Sequence, residues 1–261
     1  MSKKIFKCVV AYNGTNYYGW QRQKDAPTIQ GTIEYTLSKF FNREIKIIGA
    51  SRTDAGVHAF GQVFSFQIDI QIPAANIKSV LNDLLPPDIR IISVNEVNGN
   101  FNPRYNVKEK FYRYVIYNGK LLYPFYNNFC WHITQKINTE KICSILNLFE
   151  GEKNYFSFSG SGTDYESYIR KINKIKIKTK EKWIFIDFFA KSFLNFMIRK
   201  ITGTLISFSF DKIKKEDIER MFEIQNRTIS NTIAPAQGLY LVKIIYERIS
   251  KKSEELEEND E

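Results

Sequence analysis

Histidine and cysteine are scarce in this chain. Its 261 residues include two histidines, His58 and His132, and three cysteines, Cys8, Cys130 and Cys143, at wide and irregular intervals. An odd, scattered cysteine count provides no disulfide framework and suits a reducing cytoplasm. With no C-x-x-C and no paired histidine, zinc-ligand spacing is missing and no metal is expected. No apolar run approaches the ~18 residues of a membrane span. Met1 to Lys7 starts basic but leads directly into an alternating strand pattern, unlike a signal peptide. Hydrophobic residues make up 43% and charged residues 25%, which excludes a chain disordered throughout, a collagen and a coiled coil. The length allows one large domain or two modest ones, with a sizeable core in either case.

Basic residues are plentiful: 38 Lys and Arg against 28 Asp and Glu, a net +10. Six of the acids (Glu254, Glu255, Glu257, Glu258, Asp260 and Glu261) fall in the last nine residues, which hold no base. The remainder sets 38 bases against 22 acids, +16. A body this basic points to a polyanion, usually nucleic acid. An AT-rich genome, which inflates lysine, asparagine and isoleucine, gives the same bias without a ligand.

Periodicity divides the chain into elements. Ile5 to Tyr12 alternates as a strand, and Asn13-Gly14 turns it. Thr28 can cap a helix carrying Ile29, Ile33, Leu37 and Phe40. Glu44 to Ile48 reads as a short strand, Ser51 to Phe60 as a loop, and Gln62 to Ile68 as a strand. Ile77, Leu81 and Leu84 mark a helix ending before Pro86-Pro87, and Ile89 to Val97 a further strand. Asn98 to Arg104 is the candidate boundary. Beyond it come a strand from Lys110 to Tyr117, a helix from Asn138-Thr139 through Phe149, and a hairpin of Ile169 to Thr179 with Trp183 to Ala190. Lys174, Lys176, Lys178 and Lys180 share one face of that hairpin, as a solvated basic ladder. Phe193 to Ile206 and Lys215 to Phe222 have helical spacing, and Leu239 to Tyr246 is a final strand. These elements predict an α+β protein of two similar-sized halves, residues 1–103 and 104–249, each an antiparallel-rich sheet with helices on it. Residues 250–261 form an acidic tail without aromatics, expected to be disordered. No sequence similarity between the halves is visible, so any duplication would have to be structural.

The most unusual stretch is Ser51-Arg52-Thr53-Asp54-Ala55-Gly56-Val57-His58-Ala59. Small residues after the acid permit a tight turn and close approach of a ligand. Asp54 could be a nucleophile or general base, kept ionised by Arg52, or a structural aspartate capping backbone amides. Tyr12 to Gln23 is a loop rich in aromatics and amides, suited to stacking RNA bases or to a surface loop pinned by a buried Trp20. Tyr112 and Tyr114 share a strand face, where a core pair is the plain alternative. Arg199 lies off its apolar stripe and fits a surface salt bridge or a partner for a buried carboxylate.

Taken together and in order, these segments resemble the TruA family of tRNA pseudouridine synthases. The resemblance rests on Tyr12-Asn13-Gly14-Thr15, Gly19-Trp20-Gln21, Ser51 through Gln62, Phe111-Tyr112-Arg113-Tyr114, and Phe193-Leu194 with Met197, Arg199 and Gly203-Thr204. It ends with Ala234 through Leu241, so it spans nearly the whole chain. Lys200 stands where the family often has Asn, and Asn102 through Val107 is a loose version of the family's stretch there. The resemblance implies a pseudouridine synthase fold with the active-site cleft between the halves. It implies isomerisation of uridine to pseudouridine in the anticodon stem-loop of tRNA, at positions 38, 39 and 40, without cofactor or metal, by a cytoplasmic homodimer. It further implies Asp54 as nucleophile, Arg199 as its carboxylate partner, Arg52 filling the gap left by the flipped nucleotide, and Tyr112 stacking on the uracil, with a proton relay as a second role open to its hydroxyl. A base must leave its stack for this reaction, and a basic surface gripping phosphates offsets that cost. Two other classes compete on composition: an RNA-binding module, which makes no use of Asp54, and a nucleoside hydrolase, which needs a second carboxylate.

Overall fold

The computed structural model describes residues 3–97, 101–105, 107–162, 164–224, 226–227 and 232–247. The acidic tail and residues 98–100 of the candidate boundary lie outside the described residues.

The first strand, β1 (Lys4–Tyr12), buries Phe6, Cys8, Val10 and Tyr12 on one face, as the alternation requires. The Thr28 hydroxyl accepts from Gly31 N at 3.2 Å and so caps α1 (Ile29–Phe41), which turns Ile29, Ile33 and Leu37 into the core. Then come β2 (Ile48–Gly49), β3 (His58–Ile68), α2 (Ala74–Leu84) and β4 (Ile89–Val97). The second half contains β5 (Val107–Tyr117), β6 (Trp131–His132), α3 (Thr139–Cys143), β7 (Gly151–Asn154), β8 (Ile169–Lys180), β9 (Trp183–Ala190), α4 (Met197–Ser209), α5 (Lys215–Glu223) and β10 (Leu239–Tyr246).

The sheet order is β4-β1-β3-β10-β5-β9-β8-β7, with β2 on β3 and β6 on β5. Both halves follow one plan. In the first half β4 lies beside β1, β1 beside β3 and β2 beside β3; in the second, apart from the added β6 and β7, β10 lies beside β5, β5 beside β9 and β8 beside β9, the same β-α-β-β-α-β plan. The duplication absent from the sequence is present in the topology. The halves also share one sheet. β10 runs parallel to β3, joined by only two residue pairs, Tyr240↔His58 and Leu241↔Ala59. Residues 51–57, just before β3, therefore lie at the seam where the halves meet.

Four elements differ from the sequence expectation. Ile45 and Ile47 are buried as a strand would bury them, yet residues 44–47 are not a strand. Their N–H groups are satisfied by Ser38 Oγ (2.8 Å) and the buried Glu34 Oε1 (3.0 Å) of α1, not by a neighbouring strand. The expected loop of residues 51–60 gives way to β3 at His58, because β10 supplies a ladder partner from the far end of the chain. The helix opened by Asn138 stops at Cys143; i→i+3 bonds, such as Leu148 N to Ile145 O at 3.0 Å, tighten the chain into a 3₁₀ turn over Leu146–Phe149. The helix expected from Phe193 starts at Met197, since Phe196 has a left-handed backbone (φ 61°), and it runs on to Ser209.

Candidate active site

The seam loop is held from behind. Trp20 N donates to Thr53 O at 3.0 Å, Gly56 N to Tyr17 O at 3.3 Å, and the Tyr12 hydroxyl lies 2.8 Å from Thr53 Oγ1. Val57 N donates to Asp54 O at 3.2 Å, closing a tight turn in which Gly56 has φ +78°. Asp54 is thus the first residue of a fixed turn. The aromatic loop at residues 12–23 serves mainly as that support: Trp20 is buried, while Tyr18 stays exposed. Close approach explains its glycines. A Cβ at Gly14 would stand 2.0 Å from Val57 O, and one at Gly19 (φ +86°) would stand 2.5 Å from Thr53 O. Gly14→Ala is therefore expected to lower Tm by about 4 °C or more, read by thermal melt. An unchanged melt would show that the loop yields freely.

Arg199 comes to Asp54 from 145 residues away, its Nη1 donating to Asp54 Oδ2 at 3.0 Å. The left-handed Phe196 starts α4 late, which puts Arg199 in the helix's first turn. There its Nε donates to Ala234 O at 2.8 Å, and its guanidinium lies 5.0 Å from the Phe196 ring centre. Both members of the ion pair are largely buried, with side chains 14% and 18% exposed. Burial holds the Asp54 carboxyl above the ordinary carboxylate value, with Arg199 offsetting only part of that rise. The cation facing Asp54 is thus Arg199, whereas the neighbouring Arg52 is exposed.

Tyr112 is buried on β5, its ring edge-on to Phe193 at 5.3 Å. Its hydroxyl lies 2.9 Å from Ser51 Oγ, and desolvation pushes the phenol up to about 12. Lys110, two residues earlier on the same strand face, donates to Ala50 O at 3.0 Å and to Ser51 Oγ at 3.2 Å. Tyr114 is wholly buried and donates to Pro235 O at 2.6 Å, which makes it a core tyrosine.

Asp54, Arg199, Tyr112 and Arg52 all line one cleft of about 590 Å³, together with Arg104 and Lys110. Four cations and a single carboxylate thus surround a space of small-ligand size. A partly dry carboxylate fixed by one guanidinium can attack an electrophilic carbon, and the free cations can hold an anionic chain nearby. Among the described residues no cluster of His, Cys, Asp and Glu could hold a metal ion.

A family model described as "tRNA pseudouridine synthase" matches residues 8–106 and 145–247. The chain belongs to this family. Among its relatives, the tRNA pseudouridine synthase A of Thermoanaerobacter sp. (strain X514) is 40% identical over 91% of this chain and 98% of its own. That of Thermodesulfovibrio yellowstonii is 39% identical over 92% and 98%, and that of Prochlorococcus marinus (strain MIT 9312) is 42% identical over 94% and 91%.

Within this family site, sequence reasoning missed Ser51 and Lys110. Their signals were present: Ser51 opens the motif, and Lys110 is at i−2 from Tyr112 on an alternating strand. The family's frequent Asn is replaced by Lys200, which is buried and donates to Ser157 O and Arg227 O, each at 3.2 Å. It faces the core, away from the cleft.

Proposed function

We propose that this chain, a tRNA pseudouridine synthase by family, isomerises uridines 38, 39 and 40 in the anticodon stem-loop, with Asp54 as the nucleophile. The observation that carries the reading is the partly dry Asp54–Arg199 pair at the wall of a cationic cleft. The reaction breaks the N1–C1′ bond, turns the uracil over and joins C5 to C1′, which needs neither redox change nor energy input. Arg199 keeps Asp54 ionised, and Tyr112 offers its ring to the extracted base. Arg52, exposed at the mouth of the cleft, takes the place the base vacates in the stem. The cations of the cleft and the basic body hold phosphates, so affinity falls as salt rises.

Purified chain mixed with unmodified tRNA tests the reading. Pseudouridine at the three positions supports it, binding alone would leave a binding module, and free uracil would mean a hydrolase. Arg52→Ala should slow a paired stem uridine about tenfold more than an unpaired one, because an unpaired base costs less to extrude. Equal slowing of both would remove Arg52 from the extrusion step.

We further propose that the chain works in the cytoplasm as a homodimer. The free Cys8, Cys130 and Cys143 suit a reducing compartment. The less buried sheet face supports a second copy as partner. There Phe111 stacks on Phe189 at 4.7 Å and Phe60 on Tyr240 at 5.4 Å, and Leu121 and Phe125 of the segment after β5 are also exposed apolar side chains. At the patch centre Arg113 is neutralised by Asp187 through bonds of 2.7 and 2.8 Å, which suits a protein partner there, while the exposed lysines of β8, among them Lys176 over the Phe189 ring, flank it. Phe125→Asp should shift the mass in solution from dimer to monomer. A monomeric wild-type chain would end this proposal, and so would tRNA protection of the face.

A further inference from the structure

Beyond the grip on phosphates given to the cleft's cations, Lys110 ends a hydrogen-bonded chain that leads into the cleft. Its ammonium has three donors and no acceptor. One N–H goes to Ala50 O at 3.0 Å and one to Ser51 Oγ at 3.2 Å; Ser51 Oγ lies 2.9 Å from the Tyr112 hydroxyl. A serine hydroxyl has one proton and two lone pairs. While Lys110 is charged it occupies one lone pair and turns the Ser51 O–H dipole away from itself, toward Tyr112. Ser51 then donates to Tyr112, and the phenol proton is left pointing elsewhere. Tyr112 lines the cleft, so that proton has the cleft before it.

We infer that Lys110 is a positioning residue for the isomerisation: through Ser51 it turns the Tyr112 hydroxyl proton into the cleft, where it donates to a carbonyl oxygen of the extracted uracil. The inference rests on the reading that Tyr112 meets the base. No covalent bond changes in this step; the chain fixes a direction.

The direction depends on the charge of Lys110. Burial, and then the nearby Arg104, lower its ammonium to about 8. Arg104 faces it from the segment before β5, Asp54 faces Tyr112 from the seam loop, and Arg52 and Arg199 line the same cleft. A neutral Lys110 amine can accept from Ser51. The chain then reverses, Tyr112 donates to Ser51, and the uracil loses its donor. Turnover is therefore highest while Lys110 is charged and falls as pH rises through about 8.

The test is single-turnover pseudouridine formation by the full chain on unmodified tRNA, from about pH 6.5 to about pH 9.5. Lys110→Met and Ser51→Ala should each lower the saturating single-turnover rate constant about tenfold with tRNA affinity within about threefold. Lys110→Arg should retain activity and move the alkaline fall above about pH 9, since a guanidinium stays charged. Adding Lys110→Met to Tyr112→Phe should cost nothing further, because the hydroxyl to be turned is already gone. An alkaline limb unchanged in Lys110→Arg overturns the inference, as does additive loss in the double variant. Should Lys110→Met fail to fold by circular dichroism, the Lys110→Arg profile decides alone. A wild-type chain that makes no pseudouridine overturns the parent reading and this one with it; a wild-type chain that does, beside an equally active Lys110→Met, overturns this one only.

Discussion

Asp54→Asn is expected to abolish pseudouridine formation while tRNA affinity stays within about tenfold, a change of ~1.4 kcal/mol or less. The substitution is nearly isosteric. The backbone of the turn is fixed by Trp20 N on Thr53 O and by Val57 N on Asp54 O, and neither bond involves the carboxylate. The amide oxygen of the introduced asparagine can still accept from Arg199, so the cleft keeps its shape. What disappears is the anionic oxygen to which the proposed mechanism assigns the attack. On the same proposal, affinity comes mainly from phosphate contacts across the basic body, which the change leaves in place. Filter binding and a pseudouridine assay on the same preparation separate the two quantities. Turnover near the wild-type rate in the Asn variant would remove Asp54 from the reaction, and affinity lost a hundredfold would recast it as a binding residue.

Arg199→Ala is expected to cost at least about a hundredfold in turnover near neutral pH and to move the acid limb of the pH–rate profile to higher pH. Burial already lifts the Asp54 carboxyl above its ordinary value, and Arg199 is the opposing influence, through its charge and its hydrogen bond. Without the guanidinium only the lifting cause remains. The carboxyl then stays protonated to higher pH, and the active ionised form appears later as pH rises. Alkaline pH should therefore recover part of the loss, whereas a purely structural defect would leave the profile merely scaled down. Arg199→Lys should fall between, since an ammonium can supply charge but not both the bond to Asp54 Oδ2 and the bond to Ala234 O in the same geometry. A profile of wild-type shape in Arg199→Ala would show that this pair does not set the ionisation of Asp54.

Local pattern carried most of the elements. Alternation in β1 and the Thr28 cap of α1 depend on neighbours a few residues away, and both occur as the sequence predicts. The short strand expected before Ile48 shows where pattern misleads. Burial of alternate residues identifies a strand only if another strand receives the N–H groups, and here Ser38 and Glu34 of a helix receive them instead. The start of α4 was misplaced for a related reason. Its apolar spacing continues back to Phe193, but a left-handed backbone at Phe196 is set by packing and leaves no periodic trace.

The sequence by itself determined the chemistry available: a carboxylate beside small residues in one loop, a tyrosine on a strand, an arginine on a helix, and a basic body to hold a polyanion. Chain order sufficed for family likeness because those motifs are local runs of residue types. Tertiary structure decided which groups meet. Arg52 is two residues from Asp54 but is exposed, while Arg199 is 145 residues away and in contact. That meeting depends on β10 pairing with β3 through two residue pairs, joining two topologically equivalent halves into one sheet with the Asp54 loop at the seam. Contacts of such sequence separation arise from packing of whole elements, which local propensity does not encode.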